Sequence, residues 1–112
     1  MSSQAVRRLS SVMERTSMDA TSVARILDKD PKTVTRWLRA DHEPRWETVE
    51  QLLSLNVVLE RLADVIEPTA AEEWLFTPVP DLDYRRPADL VREGDFRRVL
   101  ALIDAIAEGV FT

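Results

Sequence analysis

Apolar side chains recur along this chain at the three- and four-residue spacing of buried helix faces, and no apolar/polar alternation lasts more than a few residues. The pattern predicts an all-α fold without strands. Val6, Leu9, Val12 and Met13 form a stripe that places a first helix over residues 4–15. Asp19 is suited to cap a short second helix carrying Val23, Ala24, Ile26 and Leu27, which Asp28-Lys29-Asp30 breaks. Asp30-Pro31 then opens a third helix, with a capping carboxylate followed by proline at the first helical position.

A loop through His42 and Pro44 leads into a long helix over residues 46–66, ended by Pro68. Its apolar residues fall on two faces. Trp46, Val49, Leu53 and Val57 share one, while Leu52, Leu55, Leu59, Leu62 and Ile66 lie nearly opposite. A connector packing on different modules at its two ends needs such a pattern; a helix buried at a dimer interface gives a similar one, and the connector is favoured. Thr69 and Glu72 are spaced as a capping box for a short helix through Trp74 and Leu75. Residues 76–86 read as an irregular arm. Pro87 begins a brief helix that Gly94 ends, and Asp95 caps a last helix carrying Phe96, Val99, Leu100, Ile103, Ile106 and Ala107. Gly109 stands where a left-handed residue terminates a helix, leaving the tail Val110-Phe111-Thr112. The division expected is a helix-turn-helix unit over residues 1–45, a connecting helix over 46–68 and a small helical module over 69–112.

Composition narrows the chemistry. Among 112 residues there is no cysteine and one histidine, which removes disulfides, thiol catalysis and structural zinc. No apolar run approaches the ~20 residues that span a bilayer, and Arg7-Arg8 lack the apolar segment of a signal peptide, so a cytoplasmic protein without a membrane partner is expected. The net charge of −5 is unevenly spread: residues 1–46 carry nine Lys/Arg against six Asp/Glu, and residues 47–112 six against fourteen. Segregated charge suggests two surfaces with different partners. Catalysis is not expected. Glu72 and Glu73 point apart on a helix, Asp81 and Asp83 lack a third ligand, and His42 sits between Asp41 and Glu43 with no nucleophile beside it. No metal or cofactor site is predicted.

Residues 20–40 fit a helix-turn-helix. On the second of its helices Val34, Trp37 and Leu38 occupy the arc that would hold the domain, whereas Lys32, Thr33, Arg36 and Arg39 occupy the opposite arc. Long donors and a hydroxyl suit phosphates and guanine edges; Arg36 is the candidate base reader, with Lys32 and Arg39 on phosphates. The stretch Asp28 to Leu38, with the small Ala24 packed behind it, resembles the Xre/Cro-like helix-turn-helix. Farther on, Trp74-Leu75-x-x-Pro78, Leu82, Pro87-Ala-Asp-Leu90, Gly94, Val99, Leu102, Ile106 and Gly109 resemble the toxin-binding domain of Xre/MbcA/ParS-type antitoxins, and the run from Arg86 to Phe111 is especially similar to the MbcA type. Two modules in the family's order cover nearly the whole chain. The chain departs from the family at Val79, where many members carry Asn, and at Asp83-Tyr84, where the turn is often glycine-rich.

The resemblance implies a type II antitoxin that neutralises a cognate RES-domain toxin, an NAD-degrading enzyme, by blocking its cleft with the C-terminal end. That end is Gly109-Val110-Phe111-Thr112 here. Tyr84, Arg85 and Arg86 on the arm are further candidate contacts, since interfaces favour Tyr and Arg, while Trp74, Leu75 and Phe96 belong to the core. Operator DNA is the second expected partner, with autorepression of the operon and a homodimer or a larger assembly with the toxin. The competing reading is a stand-alone helix-turn-helix regulator whose C-terminal half dimerises or senses an effector. A weaker one is an adaptor that no longer binds DNA.

Overall fold

Side-chain caps set the first three helices. The computed structural model describes residues 3–109. Helix α1 (Gln4–Arg15) starts where the Val6 N–H donates to Ser3 Oγ at 3.1 Å. Helix α2 (Ala20–Leu27) starts where the Ser22 N–H donates to Asp19 at 2.9 Å. Helix α3 (Pro31–Leu38) starts where the Lys32 N–H donates to Asp30 at 2.8 Å, with Pro31 in the first helical position. Asp28, left-handed at φ 58°, makes the tight turn between α2 and α3.

Helix α4 (Trp46–Ala63) stops short of the predicted residue 66. Pro68 forces Glu67 into an extended conformation, and the N–H groups of Val65 and Ile66 both return to the Leu62 carbonyl, closing the helix in a turn. Pro68–Ala70 is a 3₁₀ turn that places Thr69 inside the turn, so the predicted capping box does not form. Glu72, in α5 (Ala71–Leu75), instead accepts a hydrogen bond from the Ser22 hydroxyl on α2. Helix α6 (Pro87–Arg92) ends at Gly94, φ +90°, and α7 (Phe96–Ala107) ends at Gly109, φ +69°, both in the left-handed region expected of them. Asp95 holds the capping position of α7 without making a side-chain cap bond.

The arm is more ordered than its sequence suggests. Pro80–Leu82 forms a second 3₁₀ turn, and Val79 pairs with Arg85 in an isolated antiparallel bridge. Leu82, 2% exposed, pins the arm to the core. Between the bridge partners Asp83 and Tyr84 both adopt positive φ, 58° and 63°, and the Arg85 N–H closes the turn on the Leu82 carbonyl at 3.0 Å.

The buried residues of α1 through α7 form one continuous cluster. Leu52, Leu55, Val58, Leu59 and Leu62 of α4 are fully buried, and α1, α6 and α7 all pack on this helix. Each leucine so buried contributes about 1.5–3 kcal/mol relative to exposure. Asn56 Nδ2 donates to the Ala5 carbonyl at 3.0 Å, and Arg8 reaches Glu60 at 2.6 Å, fixing α1 along α4. The opposite face departs from expectation. Trp46 is 71% and Leu53 41% exposed, Val49 is half-buried against the core and Val57 half-buried, so the stripe that a two-sided connector would bury is only partly covered. Among the described residues no helix is long and apolar enough to cross a membrane.

Candidate nucleic-acid and partner interfaces

The outward arc of α3 is built as its spacing predicts. Val34 and Trp37 are buried and Leu38 half-buried, which holds the helix against α2, where Ala24 is also buried. Lys32, Arg36 and Arg39 are exposed and Thr33 half-buried. None of the three cations has a carboxylate partner among the described residues, and the same is true of Arg25, Lys29 and Arg45 around them. Arg25 instead lies over the Phe76 ring, 4.0 Å from its centroid. Six cations without a direct carboxylate partner therefore gather on and around the helix-turn-helix.

The C-terminal arginines behave differently. Arg61 pairs with Asp104 at 2.7 Å, Arg85 with Glu93, Arg86 with Asp89 at 2.8 Å and Arg98 with Asp83 at 3.5 Å. Arg92 meets Asp89 at 3.4 Å and also donates to the carbonyls of Arg25 and Ile26 at the end of α2. The two-pronged bond from Arg86 holds the Asp89 carboxyl below its ordinary pKa and raises that of the guanidinium. Asp19 is likewise lowered, chiefly by the Ser22 N–H that it caps.

Of the expected contact residues on the arm, Arg85 and Arg86 are half-buried and ion-paired, so they brace the arm against α6 and its C-terminal end. Tyr84 stands clear, 73% exposed on a left-handed backbone. A non-glycine residue there carries strain of about 1–2 kcal/mol. Beside the arm lies a shallow groove of about 310 Å³ between Asp81-Leu82 and the Arg98, Ala101, Leu102 and Ala105 face of α7. Gly109 is exposed at the end of α7, while Val110, Phe111 and Thr112 lie outside the described residues.

Sequence reasoning did not single out Arg25, Lys29 or Arg45, nor the groove. The six free cations were visible as a basic half; that their acidic neighbours Asp19 and Asp30 are spent on helix caps was the signal available.

Residues 61–109 match the Xre/MbcA/ParS C-terminal toxin-binding domain of antitoxins. The chain is 42% identical to the mycobacterial cidal antitoxin MbcA of Mycobacterium bovis over 103 residues, 92% of this chain and 91% of the relative. MbcA of Mycobacterium tuberculosis matches to the same extent. This chain belongs to the Xre/MbcA/ParS antitoxin family. Its fold also superposes on a chain of the crystal structure of the M. tuberculosis MbcT–MbcA toxin–antitoxin complex, with a TM-score of 0.86, 39% identity and coverage of 98% of this chain and 99% of that one. The family match begins in the last turn of α4 and runs through the arm to Gly109, so Tyr84, Arg85 and Arg86 all lie within it.

Proposed function

We propose that this protein neutralises a cognate RES-domain toxin, an NAD-degrading enzyme, by seating its C-terminal end in the toxin's cleft. The observation that carries this reading is the likeness along almost the whole chain to an antitoxin solved in complex with its toxin. The mechanism is occupancy without chemistry by the antitoxin. Helix α7 is anchored by Val99, Leu102 and Ile103, and Gly109 turns the chain off its end. The tail Val110-Phe111-Thr112 offers an aromatic ring, which suits a pocket shaped for a nucleotide's ring. Tyr84 provides a second anchor on the arm, held by the Arg85 and Arg86 ion pairs. Both partners act in the cytoplasm.

The second role is repression of its own operon through α3. Arg36 reads a base edge while Lys32 and Arg39 hold phosphates and Thr33 supplies a hydroxyl; their freedom from counter-ions supports this. A second copy of the chain, paired through Trp46, Val49, Leu53 and Val57, would present two recognition helices to a palindromic site. Toxin and operator are then linked ligands, each changing the affinity for the other equally.

The test is NAD consumption by the protein encoded beside this gene, with and without one equivalent of the chain. Suppression supports the antitoxin reading. Unchanged consumption, together with salt-sensitive binding to upstream DNA, would favour the stand-alone regulator that the free cations of α3 also suit.

A further inference from the structure

Helix α2 belongs to the helix-turn-helix, yet both of its ends are held by the module that carries the family match. At its first turn the buried Ser22 hydroxyl donates to Glu72 of α5. At its last turn Arg92 of α6 donates to the carbonyls of Arg25 at 3.2 Å and Ile26 at 3.4 Å. These are among the final carbonyls of α2, which the helix itself cannot satisfy, and a guanidinium there also meets the negative end of the helix dipole. Arg92 therefore caps α2 from 66 residues away in sequence.

The same contacts continue into the arm, and they reach it at both ends. Arg86, where the arm closes, binds Asp89 at 2.8 Å, and the half-buried Asp89 also meets Arg92 at 3.4 Å. Phe76, where the arm opens, lies under Arg25 of α2, 4.0 Å from the ring centroid, with Arg86 at 5.8 Å. One end thus leads to α2 through Arg25 and the other through Asp89 and Arg92. On its far side α2 packs against α3, with Ala24 buried where Val34 and Trp37 are buried.

We propose that α2 is the coupling element between the arm and the recognition helix, and that Arg92 is the positioning residue through which toxin bound at the arm tightens the hold of α3 on its operator. This rests on the toxin and operator readings above and adds the route between them. A partner seated on Tyr84 fixes the arm, and with it Arg86, Asp89 and Arg92. The ordering of α2 and α3 that DNA binding requires is then already met, so the second ligand binds more tightly. Linkage makes the effect mutual: operator tightens the toxin by the same factor.

The experiment measures the affinity of the full chain for a duplex from immediately upstream of the gene, by fluorescence anisotropy, with and without saturating toxin encoded beside it. The parent ratio should be about 5- to 150-fold. It should fall by at least about threefold in Arg92→Gln, and likewise in Ser22→Ala, which keeps the Ser22 N–H on Asp19. In the two together it should approach one, while toxin affinity without DNA stays that of the parent. Arg8→Gln, which breaks the ion pair joining α1 to α4, is the control and should leave the ratio unchanged. A parent-like ratio in the double variant would overturn α2 as the coupling element. An equal fall in Arg8→Gln would overturn it too, since general loosening of the fold would then suffice. A parent that binds both ligands with a ratio of one or below would overturn the tightening and leave the antitoxin and repressor readings standing. A parent that fails to bind one ligand would overturn the corresponding reading, and the coupling with it.

Discussion

Two regions of this protein treat the same side chain in opposite ways. Around the helix-turn-helix, Arg25, Lys29, Lys32, Arg36, Arg39 and Arg45 have no carboxylate partner, whereas Arg61, Arg85, Arg86, Arg92 and Arg98 of the C-terminal half are each bound to an acid. Arg97 is the exception there. An arginine already engaged with a carboxylate holds the fold and has less to offer a new anion; an unpaired one is available to a partner. The unpaired cations thus gather at the helix-turn-helix, while Arg8 and Arg15 of α1 are paired with Glu60 and Asp64, and the C-terminal module shows an exposed Tyr84 and a groove along α7.

The comparison can be broken most severely at the α4 stripe through which a second copy is proposed to pair. Replacing Leu53 by Glu puts a charge in this partly covered stripe, away from both proposed contact surfaces, and should raise the dimer dissociation constant by thirtyfold or more, about 2 kcal/mol. Sedimentation velocity reads the change; an unaltered sedimentation coefficient would remove the stripe from self-association. Arg36→Ala should lower the preference for operator over scrambled duplex by about 1–3 kcal/mol while leaving toxin inhibition intact, as paired fluorescence-anisotropy and inhibition titrations would register. An equal loss for both duplexes would make Arg36 a phosphate contact.

The paired half has its own signature. Asp89 is held below its ordinary pKa by Arg86 and Arg92, and Asp19 by the Ser22 N–H. Lowered folded values mean stability that is present above the unfolded carboxylate pKa and lost as pH falls through the folded one, so denaturant midpoints should decline below about pH 4. Asp89→Asn should remove about 1.5 kcal/mol at neutral pH and flatten part of that decline. An unchanged acid profile would show that the Asp89 pairs do not set it. Tyr84→Gly gives the smallest effect on stability and the most informative one. Relief of the left-handed backbone should stabilise the chain by about 0.5–1 kcal/mol while inhibition of the toxin weakens. Stabilisation without weaker inhibition would take Tyr84 out of the interface.

Much of this architecture is legible in the chain because its signals are local. Asp19, Asp30-Pro31, Pro87, Gly94 and Gly109 mark helix ends through their own backbone and capping chemistry, and each does so in the structure. The failures involve partners distant in sequence. Glu72 has the spacing of a capping box, yet it bonds to Ser22, fifty residues away, after Pro68 starts the turn early. The order of the arm likewise depends on Leu82 reaching the core and on Glu93 and Asp89 meeting Arg85 and Arg86. Periodicity identified both apolar faces of α4 but not which one the fold would cover. For the site, wheel geometry was sufficient to expose Lys32, Arg36 and Arg39; whether a cation is free depends on every acid near it in space.

The most direct test of the account sets toxin inhibition by three chains side by side: the parent, the Lys32→Ala/Arg36→Ala/Arg39→Ala variant, and the parent lacking Val110-Phe111-Thr112. With NAD consumption by the neighbouring protein as the readout, the triple variant should inhibit as the parent does and the shortened chain should not inhibit. Full inhibition by the shortened chain would contradict the blocking role of the C-terminal end, and loss in the triple variant would contradict the separation of the two surfaces.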